Sequence, residues 1–263
     1  MKIVVVLMSY LFQVNSYHLP FTRSSYRKIS GYNYKLHEPK TKTWPNENHC
    51  LFYTGGSSNI PGELYGSFLE KLSSKNVTVH VVNSEIKRQP ILLKALVHDR
   101  PTTVLAHSSG ATEGLDVCNY LDNIKNVVLL DPVDTRFVTD KKNKDKTIEP
   151  RNKITDLFMI NAQKSYEWRV FPFKIPFIPM FSLSMKDVKA DNKKFITATN
   201  FGHCDILDYP WGKIMHHSIC EGLENRDEQK IEEYHDWLAT IVAGCVINGT
   251  LSEDNRIDYS NRE

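Results

Sequence analysis

The chain has 263 residues, enough for one large α/β domain with a substantial core, although two small domains would also fit. A formal net charge of +2 carries no nucleic-acid signature, so nucleic acid is not an expected partner. The five cysteines, Cys50, Cys118, Cys204, Cys220 and Cys245, show no Cys-x-x-Cys spacing, which argues against a zinc site.

The N-terminus reads as a targeting label. Lys2 precedes an apolar run over residues 3–12, too short to span a bilayer but the length of a signal-peptide core, with cleavage expected after Ser16. Residues 1–37 contain no Asp or Glu, while Lys2, Arg23, Arg27, Lys28 and Lys35 are basic and serines and tyrosines are frequent. That composition is transit-peptide-like, so residues 1–43 are assigned to a bipartite presequence addressed to a plastid of secondary origin. The alternative is a secreted protein with a basic tail. Two sequons, Asn76-Val77-Thr78 and Asn248-Gly249-Thr250, fit either route, and Cys204 and Cys220 are candidates to pair in an oxidising compartment. No internal run approaches the roughly 20 apolar residues of a membrane-spanning helix.

The folded domain is expected over residues 44–250, with a polar tail over 251–263. A strand over 50–53 runs into Thr54-Gly55-Gly56-Ser57-Ser58, and a helix over 63–74 carries Leu64, Phe68, Leu69 and Leu72 on one face. Residues 77–82 alternate and are β-branched, as a strand requires. Further buried strands are expected over 104–106, 126–130, 157–161 and 195–199, and a closing helix over 230–247. Strands alternating with helices imply a mainly parallel central sheet flanked by helices. Two inserts interrupt the alternation. Residues 136–153, dense in Lys, Asp and Asn, read as a solvated loop. In residues 166–185, Trp168, Phe171, Phe173, Phe177 and Phe181 alternate with Pro172, Pro176 and Pro179. This reads as a loop packed on the core or as an apolar wall at the mouth of a site for a greasy substrate.

The chemistry concentrates at Ala106-His107-Ser108-Ser109-Gly110, which has the form small-x-Ser-x-small between a strand and a helix. That is the nucleophile elbow of the α/β-hydrolase fold, a sharp turn that presents one serine hydroxyl above the sheet. Centring the pattern on Ser109 would put the bulky His107 at a small-residue position, so Ser108 is the expected nucleophile. A serine needs a base, and the base needs an orienting carboxylate, in the chain order Ser, acid, His. The strand over 126–130 ends in Asp131, on the rim where ligands bind in open α/β sheets. Asp131 is the preferred acid, Asp134 the second candidate and Glu167 the third. Of ten histidines, His203 alone follows the last strand directly and is preceded by glycine, which makes it the base. The oxyanion hole is expected from the N–H of Ser109 and that of Gly56 or Ser57.

With these residues in hand, the chain resembles the chlorophyllase family, a branch of the α/β-hydrolases. Ala106-His-Ser-Ser-Gly-Ala111 resembles that family's Gly-His-Ser-Arg-Gly-Gly motif, and Leu130-Asp-Pro-Val133 its Asp-Pro-Val acid strand. Phe201-Gly-His-Cys-Asp-Ile-Leu-Asp208 resembles its Tyr-Gly-His-x-Asp-x-Leu-Asp signature, and residues 220–246 its cysteine-bearing linker and final helix. The resemblance covers roughly residues 51–247. It implies hydrolysis of the phytyl ester of chlorophyll to chlorophyllide and phytol by Ser108, Asp131 and His203, with no metal or cofactor in the chemistry. Asp205 and Asp208 would brace the histidine loop, and peripheral contact with a thylakoid or other membrane would bring the substrate. The elbow departs from the family at Ala106, Ser109 and Ala111; Ser109 stands where the family has arginine, so any pigment contact made by that arginine is gone. A lipase or carboxylesterase, and a non-catalytic pigment- or lipid-binding relative, are the alternatives.

Overall fold

The computed structural model describes residues 22–40, 48–136, 147–166, 169–170, 175–176, 181–212 and 227–251. Its strands, in chain order, are β1 (Thr22–Ile29), β2 (Tyr32–Pro39), β3 (Asn48–Tyr53), β4 (Val77–Val82), β5 (Thr102–His107), β6 (Ile124–Leu130), β7 (Asp156–Ala162), β8 (Arg169–Val170), β9 (Ile175–Pro176) and β10 (Asn192–Ala198). The helices are α1 (Gly66–Ser74), α2 (Pro90–Val97), α3 (Gly110–Val117) and α4 (Glu228–Asn248). One sheet takes eight strands in the order β1-β2-β4-β3-β5-β6-β7-β10; β8 and β9 form a separate antiparallel pair. From β4 to β10 every pairing is parallel.

Both faces of the parallel part are covered, so its strands read as continuous apolar runs rather than alternating ones. Successive side chains still go to opposite faces. Cys50, Phe52, Leu105, Val128, Leu130, Phe158 and Ile160 pack with helices α1 and α4 on one side. Leu51, Tyr53, Val104, Ala106, Val127, Leu129, Leu157 and Met159 pack with α2 and α3 on the other. Helix α4 starts on Asp227, whose side chain accepts the Gln229 N–H, and stops at Gly249 with φ +62°, a left-handed cap that glycine adopts without strain.

The sheet begins earlier than residue 44. Residues 22–39, assigned above to the presequence, form the hairpin β1–β2, turned at Ser30 (φ +46°) and Gly31 (φ +89°). Strand β2 then pairs antiparallel with β4, with Leu36 opposite His80, and the Tyr26 hydroxyl donates to Glu63 just before α1. The domain therefore extends into the acid-poor segment. A hairpin at the edge of a sheet needs few buried side chains, so it accommodates the same Arg-, Ser- and Tyr-containing composition that reads as transit-like. The sign of it in the sequence was Ser30-Gly31 between Ile29 and Tyr32, a turn pair flanked by strand formers. Residues 1–21 and the tail beyond 251 lie outside the described residues, as do Trp168, Phe171, Phe173 and Phe177 of the aromatic insert. Phe181 packs on the core.

Where β2, β3 and β4 meet, His80 lies buried, its ring stacked with those of His49 and Tyr34. His80 Nε2 is 3.2 Å from His49 Nδ1, and Arg100 lies 3.0 Å from the other His49 nitrogen. Burial, with His49, Arg100 and His98 nearby and only Glu38 opposing, pulls the His80 pKa down to about 3.

Two outcomes are expected. A chain beginning at Thr22 keeps the hairpin, whereas one beginning at Thr41 exposes the β4 edge. The shorter chain should melt lower by more than about 5 °C or lose soluble yield; equal melting would mean that the hairpin contributes nothing. For His80, the folded pKa lies below the unfolded value, so between pH about 3 and 6.5 the unfolded chain binds more protons. Stability is then full above pH 6.5 and falls as the pH falls, by on the order of 2 kcal/mol from this residue at pH 5. Denaturant midpoints of His80→Phe against the parent, measured from pH 7.5 to 5, should show a shallower acid-side decline in the variant.

Candidate active site

Ser108 sits in the turn between β5 and α3, with φ +55°. Its N–H donates to Leu130 O at 3.0 Å, and its own carbonyl accepts the Val133 N–H at 3.0 Å, so the turn is fixed to the end of β6. A positive φ at a serine costs on the order of 1–3 kcal/mol and persists only where the surroundings determine it. The turn is tight because α3 starts against β3. A β-carbon on Gly110 would lie 2.4 Å from Thr54 O and 2.7 Å from Tyr53 O, and one on Gly114 would lie 2.9 Å from a Val104 methyl.

The expected acid and base meet this serine. His203 Nε2 is 2.8 Å from Ser108 Oγ, and His203 Nδ1 is 2.5 Å from Asp131 Oδ2. A carboxylate only accepts, so Nδ1 carries the hydrogen and Nε2 of the neutral ring is left to accept from the serine. All three side chains are buried, Ser108 at 9% exposure being the most open.

The surroundings of Asp131 were only partly foreseen. It sits at the end of β6 with φ +43°. Oδ1 accepts the Ala162 N–H at 3.1 Å, and Oδ2 accepts the Ser165 hydroxyl at 2.5 Å as well as His203. Ala162 ends β7, and Ser165 lies in the 3-10 turn that follows it. The end of β7 thus supplies donors to a carboxylate borne by β6. Nothing in the sequence marked Ser165 beyond its place after a strand. Asp134, the second candidate, is taken up by Arg136, whose Nη2 lies 2.7 Å from its Oδ2. Glu167 lies outside the described residues.

The histidine loop is braced as expected at Asp205, whose Oδ2 accepts the Gly202 N–H at 2.8 Å. Phe201 stacks on Tyr234 of α4 at 4.0 Å, and His235 donates to Asp205 O at 2.9 Å. Asp208 reaches further. Its two oxygens accept the N–H groups of Gly66 and Ser67 at 3.1 and 2.9 Å, tying the loop to the start of α1. Burial raises its pKa to about 6.

His107, the x of the elbow, joins this loop to the loop after β3. Its Nε2 lies 3.1 Å from His203 O and must donate; its Nδ1 lies 2.9 Å from the Tyr65 hydroxyl and therefore accepts. Tyr65 in turn accepts the Gly55 N–H at 3.0 Å. Burial, and then the neighbouring His203, hold the His107 pKa well below the usual histidine value, while burial pushes the Tyr65 phenol up.

The loop after β3 carries Gly56 (φ +62°), Ser57 (φ +55°) and Ser58 (φ +58°) in succession. Ser57 N–H, one of the expected oxyanion donors, points instead at the Ser109 hydroxyl, 2.8 Å away. Among the described residues, neither the Gly56 nor the Ser109 N–H takes part in the backbone hydrogen bonds of the turns, loops and caps. Of the expected oxyanion donors, these two are left as the candidate pair. Among the described residues, no group of three or more His, Cys, Asp or Glu is placed to hold a metal ion. Cys204 is disulfide-bonded and Cys50, Cys118 and Cys245 are free; Cys220 lies outside the described residues.

No family model matches the chain, and no curated protein matches it in sequence. Solved structures do match. A ferulic acid esterase from Streptomyces cinnamoneus superposes with a TM-score of 0.54 at 12% identity, covering 91% of this chain and 92% of the other. A mutant form of the esterase rPPE superposes with a TM-score of 0.50 at 10% identity, covering 94% and 89%. At such identities the likeness is one of architecture alone: the chain has the α/β-hydrolase fold, and the expected fold class is the observed one.

Proposed function

We propose that the protein is a serine carboxylic-ester hydrolase, and that its substrate is the phytyl ester of chlorophyll or a closely related hydrophobic ester. One observation carries the hydrolase reading: the unbroken hydrogen-bonded chain from Ser108 Oγ through His203 to Asp131. The finer reading is supported by the sequence resemblance around Ser108, Asp131 and His203.

The proposed reaction follows from the donor and acceptor assignments. Ser108 Oγ attacks the ester carbonyl carbon while its proton passes to His203 Nε2. The resulting imidazolium keeps its Nδ1–H on Asp131, whose charge is held in place by Ala162 and Ser165. The carbonyl oxygen, now negative, sits between the N–H groups of Ser109 and Gly56. Collapse breaks the bond to the alcohol, which leaves as phytol with the proton from His203. A water molecule, deprotonated by His203, then releases the acid as chlorophyllide and restores Ser108. The proposed reaction requires no cofactor.

A second reading, a carboxylesterase for other acyl esters, is favoured by one residue. Ser109 stands where the chlorophyllase motif has arginine, and its hydroxyl is occupied by Ser57 N–H. We also propose that the chain passes through an oxidising compartment on its way to a plastid and meets its substrate at a membrane surface. The Cys204 disulfide and the exposed Asn248 and Thr250 of the second sequon support that route.

The deciding experiment incubates the full chain and its Ser108→Ala variant with chlorophyll a and, separately, with a short-chain p-nitrophenyl ester. Chlorophyllide and phytol should form with the parent only, the variant being slower by about ten-thousandfold or more. Cleavage of the simple ester with chlorophyll untouched would favour the carboxylesterase reading; no turnover of either, with no fluorophosphonate labelling of Ser108, would sink the hydrolase reading. Ser165→Ala should cost about tenfold in kcat, the order of one charge-assisted hydrogen bond to Asp131, with KM little changed.

A further inference from the structure

The loop after β3 raises a physical question. Gly56, Ser57 and Ser58 all hold positive φ, and two of the three carry side chains. Such backbone persists only where its neighbours over-determine it. Ser57 N–H goes to Ser109 Oγ, as described. The Ser57 carbonyl accepts from Lys87 Nζ, and the Ser58 hydroxyl donates to Glu113 Oε2 at 2.9 Å. Lys87 and Glu113 also bind each other at 2.8 Å, with side chains only 10% and 13% exposed. Arg88, 4.0 Å from the same carboxylate oxygen, is 80% exposed and adds little.

That this pair is largely withdrawn from solvent is the telling feature. Desolvation offsets much of the attraction between buried opposite charges, so an apolar pair of the same volume would serve stability as well or better. What an apolar pair would not do is grip a carbonyl on one side of the Ser57–Ser58 peptide and a hydroxyl on the other. The anchors also come from the right places. Lys87 lies between β4 and α2, and Glu113 is in the first turn of α3, directly after the elbow. They couple the loop that carries Gly56 N–H to the helix that starts at Ser109.

We propose that Lys87 and Glu113 are positioning residues for the oxyanion hole, holding the 56–58 loop so that the Gly56 and Ser109 N–H groups converge on one point. The inference rests on the ester-hydrolase reading of Ser108. The two residues touch no reacting atom; they act through the loop.

The test uses the full chain with a p-nitrophenyl ester and a trifluoromethyl ketone, whose adduct carries the oxyanion. Lys87→Met and Glu113→Gln should each lower kcat by about ten- to hundredfold with KM within about threefold, less than the roughly 10²–10³ of losing a donor outright. Affinity for the ketone should fall in step with kcat, and Lys87→Arg should recover part of both. Combining the two substitutions should cost little more than either alone, because the pair acts as one unit. Ser58→Ala, which removes a single hydrogen bond and buries no lone charge, keeps the test alive should the other variants fold poorly. It should lower kcat several-fold at unchanged KM. Lys75→Met, which breaks the more exposed ion pair with Asp236, serves as a comparison and should leave both constants unchanged. An active parent whose variants at Lys87, Glu113 and Ser58 keep their kcat and ketone affinity would overturn the inference alone. A parent inactive on every ester and unlabelled at Ser108 would overturn it together with the reading on which it rests.

Discussion

The contact on which this structure depends is the approach of helix α3 to the end of β3. At Gly110 the helix backbone lies so near the carbonyls of Tyr53 and Thr54 that a single added carbon would meet them at 2.4 to 2.7 Å. A closest approach of this kind cannot be relaxed by a rotamer change, because both sides are main chain. It forces the reversal between β5 and α3 into one tight turn, and the turn places Ser108 at φ +55°. One helical turn further on, Gly114 is crowded by side chains, a Val104 methyl at 2.9 Å and the Ala106 β-carbon at 3.1 Å from an added carbon. The small residues at 106, 110 and 114 are therefore one constraint seen three times. The same approach brings Ser109 within reach of Ser57, so the nucleophile turn and the loop after β3 are one assembly.

The rest of the site follows from the parallel sheet. The parallel strands β3, β4, β5, β6, β7 and β10 deliver their following loops to the same rim, and Ser108, Asp131 and His203 come from the ends of β5, β6 and β10. Asp131 is 5% exposed, and a buried carboxylate is tolerable only when its lone pairs are filled. The neighbouring strand and the turn after it fill them, with the Ala162 N–H and the Ser165 hydroxyl. The acid and its donors thus lie at the ends of adjacent strands.

How much of this was legible depends on whether the signal is local. The elbow, the acid after β6 and the glycine–histidine after β10 are short patterns at strand ends, and the strands themselves are apolar runs that periodicity reveals. Several things escaped. The β1–β2 hairpin escaped because its burial is confined to a few side chains such as Leu36 and His37, leaving a composition that targeting segments share. Ser165 escaped because a hydroxyl donor to a distant carboxylate has no spacing of its own; it is 34 residues from Asp131. Ser57 was placed in the right loop but given the wrong partner. Whether its N–H faces a substrate or a side chain is decided by Ser109, 52 residues away. Lys87 and Glu113 belong with these: in sequence they are two unremarked surface-type residues, and only the fold makes them a largely covered pair.

The direction of the hydrogen bonds around His107 completes the argument about which histidine acts. The path runs one way, from Gly55 N–H to the Tyr65 oxygen, from the Tyr65 hydroxyl to His107 Nδ1, and from His107 Nε2–H to the carbonyl of His203. A second proton on His107 would put a hydrogen at Nδ1 and set it against the tyrosine hydrogen, so Tyr65 would have to turn away. Burial and the adjacent His203 already disfavour that charge. His107 is therefore held neutral while its ring lies only 4.8 Å from that of His203. Two histidines stand side by side at this rim of the sheet with distinct assignments. One has both nitrogens committed to the scaffold, joining the loop after β3 to the loop after β10. The other has one nitrogen on a carboxylate and one on a serine hydroxyl, the only arrangement of the two in which a proton can arrive and be stabilised.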